Sequence, residues 1–207
     1  MFSKFFNLEK GKQDRIINAA LKEFAQKGYE KSSTNEIVKE AGISKGLLFH
    51  YFQNKKQLYV WLYDYCIDIL VQEFFGKIDF TETDFFVRVR QAVLIKMELL
   101  NQYPHIFRFV ESAYMEDANE VKAELQQKKK ELTEIHRSKI FEGIDTSRFR
   151  DDIDLQKTFK IIMWTFEQFG EEELQKAKQS SAHEIDYEQS FIAANEYFEI
   201  FVKCFYK

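Results

Sequence analysis

Between Gly28 and Leu58 the chain gathers Ser33, Thr34, Ser44, Lys45, His50, Tyr51, Lys55 and Lys56. Hydroxyls, ammonium groups and ring donors of this kind bind an anion such as a phosphate backbone, through hydrogen bonds and charge. Bond-making chemistry is disfavoured, because no Ser/His/Asp, Cys/His, paired-carboxylate or Gly-rich phosphate motif emerges from the sequence. An enzyme is therefore the weaker reading, and recognition the stronger one.

These groups need helices to present them. Ser33 and Glu36 form a capping-box pattern, which predicts a helix starting there, the Ser side chain on the Glu36 amide and Glu36 reaching back. Ile37, Val38 and Ala41 supply its apolar face, and Gly42 stands where a left-handed residue ends a helix, so Gly42 and Ile43 make the turn. Ser44 then caps a second helix from Lys45 to about Phe52. Leu48 and Phe52 point inward at i, i+4, leaving Lys45, Leu47, His50 and Tyr51 elsewhere. Gly46 costs about 1 kcal/mol of helix propensity relative to Ala, which fits close backbone approach to phosphate. Asn54 and Gln57 repeat the capping logic for a third helix. Its first turn holds Lys55 and Lys56, where the helix dipole disfavours cations, so an anion is expected opposite them. Each cap alone is ordinary and each lysine alone is an ordinary surface residue; their joint order describes a helix-turn-helix reader of DNA.

Charge agrees once it is divided. The whole chain carries 30 basic and 34 acidic residues, net −4. Residues 1–58 hold 11 Lys and Arg against 6 Asp and Glu, net +5, so the remaining 149 residues carry 19 minus 28, net −9. A basic head on an acidic body fits a DNA-binding segment attached to something else, and a pure helical interaction module would not need such a head.

The stretch from about Lys10 to Trp61 resembles the DNA-binding domain of the TetR family of bacterial regulators. Ile16, Ala19, Ala20, Phe24, Gly28 and Tyr29 match that family's first helix, and the capped helices and turn between Ser33 and Leu58 match the rest of its head. The resemblance implies DNA contacts at Ser33, Thr34, Ser44, Lys45, Gly46, Leu47, His50, Tyr51 and Lys55. Two positions depart from the usual pattern. Leu47 replaces a frequent Thr and offers methyl groups to a thymine methyl instead of a hydroxyl, while Phe49 replaces a usual Tyr and loses one phosphate bond.

With one Pro, 7 Gly and no alternating Val, Ile or Thr runs, the chain is expected to be all-α. An N-terminal three-helix head at residues 9–58 is followed by a six-helix ligand-binding and dimerisation bundle at 59–207, about nine helices in all. A helix over 55–76, carrying Leu58, Trp61, Leu62, Tyr65, Ile69 and Phe74, connects the two. Further helices are expected from a start within Thr81–Asp84 to Gln102, from about Pro104 to Ala113, from about Asn119 to Glu142 with Ile135 in its stripe, from Ile153 to about Lys178, and from Tyr187 to Phe205. Phe2, Phe5, Phe6 and Leu8 are expected to pack an N-terminal arm against the first helix, with a membrane anchor as the alternative. No run of about 18 apolar residues occurs, so no membrane span is expected and a cytoplasmic location is. Cys66 and Cys204 read as reduced thiols without metal spacing, a redox sensor at Cys66 being the alternative; His105 and His136 read as surface or capping groups, and neither a metal nor a cofactor is expected.

By the same resemblance, the last two helices pair across a two-fold axis into a homodimer, and their Phe-rich character suits an obligate interface. A double-stranded palindromic operator is the expected partner, since one short helix reads few bases. With 22 Phe, 10 Tyr and 2 Trp, the chain has material for an aromatic cavity. Trp61, Tyr65, Met97, Phe107, Tyr114, Met163 and Phe166 are candidate lining residues, the alternative being that they fill the core. Glu111 and Glu167 among aromatics would favour a cation, so the expected effector is small and lipophilic or aromatic, or cationic. Its binding would swing the 55–76 helix and release DNA, as a repressor does. An activator or a DNA-bound structural factor of the same fold is the alternative.

Overall fold

The computed structural model describes residues 2–179 and 186–207, without the side chains of 133–138, 174, 177, 178 and 187. The expectations placed on Ile135 and His136 fall outside the described side chains. Among the described residues the chain is all-α, with α1 Ser3–Phe6, α2 Lys10–Lys31, α3 Thr34–Ala41, α4 Lys45–Phe52 and α5 Lys55–Lys77. Then come α6 Phe85–Gln102, α7 Pro104–Tyr114, α8 Lys122–Phe141, a 3-10 turn Thr146–Arg148, α9 Leu155–Gln179 and α10 Tyr187–Phe205. Among the described residues ten α-helices stand where nine were expected, because the apolar arm folds into α1.

The helices gather into two compact units, residues 1–76 with 98–137 and residues 77–97 with 138–207. In the first unit α2 packs on both α3 and α7. Phe24 of α2, Tyr59 of α5 and Phe109 of α7 bring their rings together, with centroids 4.8 Å apart for Phe24 and Tyr59 and 5.3 Å for Tyr59 and Phe109. Burying one such ring contributes about 1.5–3 kcal/mol. The arm does not lie on the first helix alone. Phe5 is fully buried and meets Phe52 of α4 at 4.9 Å and Trp61 of α5 at 5.0 Å, while Gln13 of α2 donates to the Phe6 and Leu8 carbonyls at 3.1 and 2.8 Å. Trp61 thus belongs to this core.

The second unit is built on Phe85, Phe86, Phe149, Ile162, Phe198 and Phe201. Asp84 caps α6 through the Val87 amide at 3.0 Å and also accepts from Tyr206 Oη at 3.0 Å and from Arg148. Arg88 is fully buried. Its guanidinium donates to the carbonyls of Phe80, Glu82, Ile140 and Glu142, binding the loop before α6 to the end of α8. A buried charge is tolerated there because carbonyl dipoles replace its water.

Candidate nucleic-acid interface

Local sequence sets the helix-turn-helix. Gly42 adopts φ 66°, ψ 40° after the last turn of α3, a conformation that costs an L residue roughly 1–2 kcal/mol, and Ile43 follows it as the turn. Ser44 Oγ accepts the Leu47 amide at 3.2 Å, and Asn54 Oδ1 accepts the Gln57 amide at 2.9 Å, so both predicted caps form. Leu48 and Phe52 are fully buried, which orients α4 about its axis. Ser44, Lys45, Gly46 and His50 are consequently exposed, with Leu47 and Phe49 half-buried. Thr34, the first residue of α3, is half-buried as is Ser33 before it. The Lys45 ammonium lies 5.9 Å from the Phe49 ring centroid, so the phenyl that replaces the usual Tyr still meets a cation.

Three sequence expectations change. The Ser33 capping box does not form: the Ser33 side chain makes no capping bond, and its amide donates instead to Glu23 Oε1 of α2 at 2.8 Å. A carboxylate from the preceding helix, already aimed at that helix end, takes the place the local pattern assigned to Glu36, which is exposed. Tyr51 is buried rather than displayed, its ring 5.9 Å from that of Phe5. Lys55 meets its negative partners inside the protein. Its Nζ donates to the carbonyls of Ser32 at 2.7 Å and Glu30 at 3.2 Å, and lies 4.8 Å from the Tyr29 ring centroid. Orphan carbonyls at the end of α2 thereby gain a donor. Burial lowers the Lys55 pKa, opposed by Glu120, Glu116, Glu23 and Glu30 around it.

A further set of residues holds this region and was not visible in the sequence. Gly28 interrupts α2 with φ 66°, ψ −175°. The next amide, of Tyr29, donates to Glu116 Oε2 at 2.6 Å, and the Tyr29 hydroxyl donates to Glu120. Burial, then the bond and charge of Glu120, push the Tyr29 phenol well up. The partners lie 87 and 91 residues along the chain, beyond any local spacing rule.

The nine candidate lining residues are divided by the fold. Trp61, Tyr65, Phe107, Glu111 and Tyr114 lie in the first unit; Met97, Met163, Phe166 and Glu167 lie in the second. Trp61 stacks on Tyr65 at 5.4 Å, whereas Phe166 meets Phe198 at 4.6 Å. Cys66 is buried, and burial pushes its thiol pKa far up, the environment of an unreactive cysteine. Cys204 is exposed. Among the described residues, no group of three or more His, Cys, Asp or Glu could hold a metal ion, and no helix is long and apolar enough to cross a membrane.

Comparison with known proteins reaches the same region. Residues 16–60 match the pattern described as bacterial regulatory proteins, tetR family. The chain is 48% identical over 59 residues to YuxN of Bacillus subtilis, described as an uncharacterized HTH-type transcriptional regulator; that match covers 28% of this chain and 20% of YuxN. It is 28% identical over 94 residues to the probable acrEF/envCD operon repressor of Escherichia coli K12, covering 44% of this chain and 42% of the repressor. The chain thus spans less than half the length of these curated relatives. Its whole fold is similar to that of a TetR family transcriptional regulator from Chloroflexus aurantiacus, with TM-score 0.63, 20% identity and coverage of 99% of this chain and 98% of that one.

Proposed function

We propose that this chain, whose residues 16–60 form a TetR-family head, is a sequence-specific DNA-binding transcriptional regulator, acting as a ligand-released repressor on a palindromic operator. One observation carries the reading: α4 is capped at Ser44 and anchored by Leu48 and Phe52, so that Lys45, Gly46 and His50 stand exposed on one short helix. That is the presentation a major groove requires. Residues 9–58 are the DNA-binding head and 59–207 the part that binds effector and dimerises. Ser33, Thr34, Ser44, Lys45, Gly46, Leu47 and His50 are the proposed contacts. Tyr51 contributes at most its polar edge and Lys55 acts from behind, since both are engaged within the protein. The name of the Escherichia coli relative favours repression.

The proposed dimer forms through α9 and α10. Trp164 and Ile161 on α9 are 61% and 45% exposed, and Ile192 and Ile200 on α10 are 52% and 54% exposed. Large apolar side chains in such number on two neighbouring helices favour a protein partner, and a two-fold axis makes the patch its own complement. The effector is small and lipophilic or aromatic, or cationic, as the aromatic content favours; its binding moves α5 and alters the spacing of the paired heads.

The decisive experiment selects short duplexes from a random pool with the purified protein at low and moderate salt. Recovery of a palindromic consensus is expected. Binding that falls steeply with salt but selects no consensus would reduce the function to sequence-independent DNA packaging.

A further inference from the structure

We propose that Glu116 and Glu120, in the connector between α7 and α8, latch the Gly28–Tyr29 corner and set how the helix-turn-helix is held, so that displacement of this connector is read out as DNA affinity. The inference rests on the DNA-binding function proposed for the chain and concerns its regulation.

The two carboxylates grip one residue from both ends. Glu116 takes the Tyr29 amide at 2.6 Å, and Glu120 takes the hydroxyl at the far tip of the same side chain. Glu116 is itself oriented, its Oε1 accepting the Ala118 amide at 2.9 Å. Its approach needs a glycine: a Cβ built on Gly28 would sit 2.9 Å from Glu116 Oε2. Bringing two carboxylates to one residue is repulsive, and Lys55, 4.8 Å from the Tyr29 ring, supplies the compensating charge.

From Tyr29 the constraint runs straight to the reader. Ser32 Oγ donates to the Tyr29 carbonyl at 2.7 Å, Lys55 bonds the Glu30 and Ser32 carbonyls, and the Ser33 amide is tied to Glu23. Residues 29–33 are therefore bonded along their length, and α3 begins at the next residue. A connector with this many directional bonds transmits a displacement instead of absorbing it, since bonds to charged groups are stronger than neutral ones. Gly28, where α2 is already broken, is the joint about which the corner turns.

The test uses the full chain and a duplex recovered by selection from the random pool, with Tyr29→Phe, Glu120→Gln, their double variant and Glu116→Gln. Tyr29→Phe keeps the ring packing and removes only the hydroxyl, so the fold survives. Each single change is expected to weaken DNA binding about 5-fold and to speed amide hydrogen exchange across residues 33–41. The double Tyr29→Phe, Glu120→Gln variant should be no weaker than Tyr29→Phe alone, because the change at 120 acts through a hydroxyl that Phe already lacks. Affinity and exchange both unchanged, with a consensus recovered, would overturn the latch and leave the DNA reader standing; additive losses would also overturn it. Failure of the wild-type chain to select any duplex would remove the DNA reading, and exchange alone would then decide whether the corner is held as described.

Discussion

The amide of Tyr29 and the carboxylate of Glu116 meet at 2.6 Å across 87 residues of chain, and the residue before that amide is a glycine at φ 66°. Turn, hydrogen bond and missing side chain at this corner are a single feature, because a left-handed backbone aims the amide and the absent Cβ admits the oxygen that accepts it.

Gly28→Ala is accordingly expected to destabilise the protein by about 1–3 kcal/mol, the range for a non-glycine residue forced into this region, with added crowding at Glu116. Gly11→Ala, where nothing beyond its chain neighbours and its own helix lies within 4 Å of the added Cβ, should instead leave stability unchanged or raise it by up to about 1 kcal/mol. Thermal or denaturant unfolding of the two variants separates these outcomes; equal stability would remove the strain argument.

Lys45→Ala should weaken DNA binding across all sequences and reduce the salt slope by about 1, as loss of one phosphate contact does, without altering the unfolding midpoint. Tyr51 needs gentler treatment. Its ring is buried against Phe5, so Tyr51→Ala is expected to cost about 3 kcal/mol or more of stability and to confound any binding assay, whereas Tyr51→Phe isolates the hydroxyl. Titration of a labelled duplex at several salt concentrations measures both effects.

Trp164→Glu places a charge in the most exposed large apolar position of α9 and should convert the proposed dimer to a monomer in sedimentation, with helicity by circular dichroism unchanged. A sedimentation coefficient that does not move would place the two-fold contact elsewhere.

Arg88→Met is expected to destabilise the second unit by about 3–5 kcal/mol, since it leaves four inward-facing carbonyls without their donor. Denaturant unfolding measures the loss, and a shift below about 1 kcal/mol would mean that water takes over those bonds.

Tyr206 is one of the tyrosines that contribute to alkaline stability. Burial, above all, pushes its pKa up from 10.0 to about 12, with the charge of Asp84 and its acceptor bond acting in the same direction. The folded state therefore holds this proton more tightly than the unfolded state, so the contribution is complete below pH 10 and is lost as pH rises from 10 toward 12. The ultraviolet absorbance of tyrosinate should include a component titrating above pH 10 that Tyr206→Phe removes.

What the sequence determined by itself is the local grammar of the reader. Gly42 as the left-handed end of α3, Ser44 and Asn54 as caps, and Leu48 and Phe52 as the buried edge of α4 were all legible, because each depends on neighbours three or four residues away. Composition indicated the helical class for the same reason, through periodicity and the scarcity of turn residues. Tertiary structure decided everything that depends on residues far apart in the chain. Glu23 displaced the Glu36 half of a capping box, Lys55 turned inward to the end of α2, Phe5 covered Tyr51, and Glu116 and Glu120 closed on Tyr29. In each case a local preference worth about 1 kcal/mol yielded to a buried or charge-assisted contact of comparable or greater strength, whose partner no spacing rule could nominate. The same limit applied to the nine candidate lining residues, which aromatic content nominated without saying which core each would join.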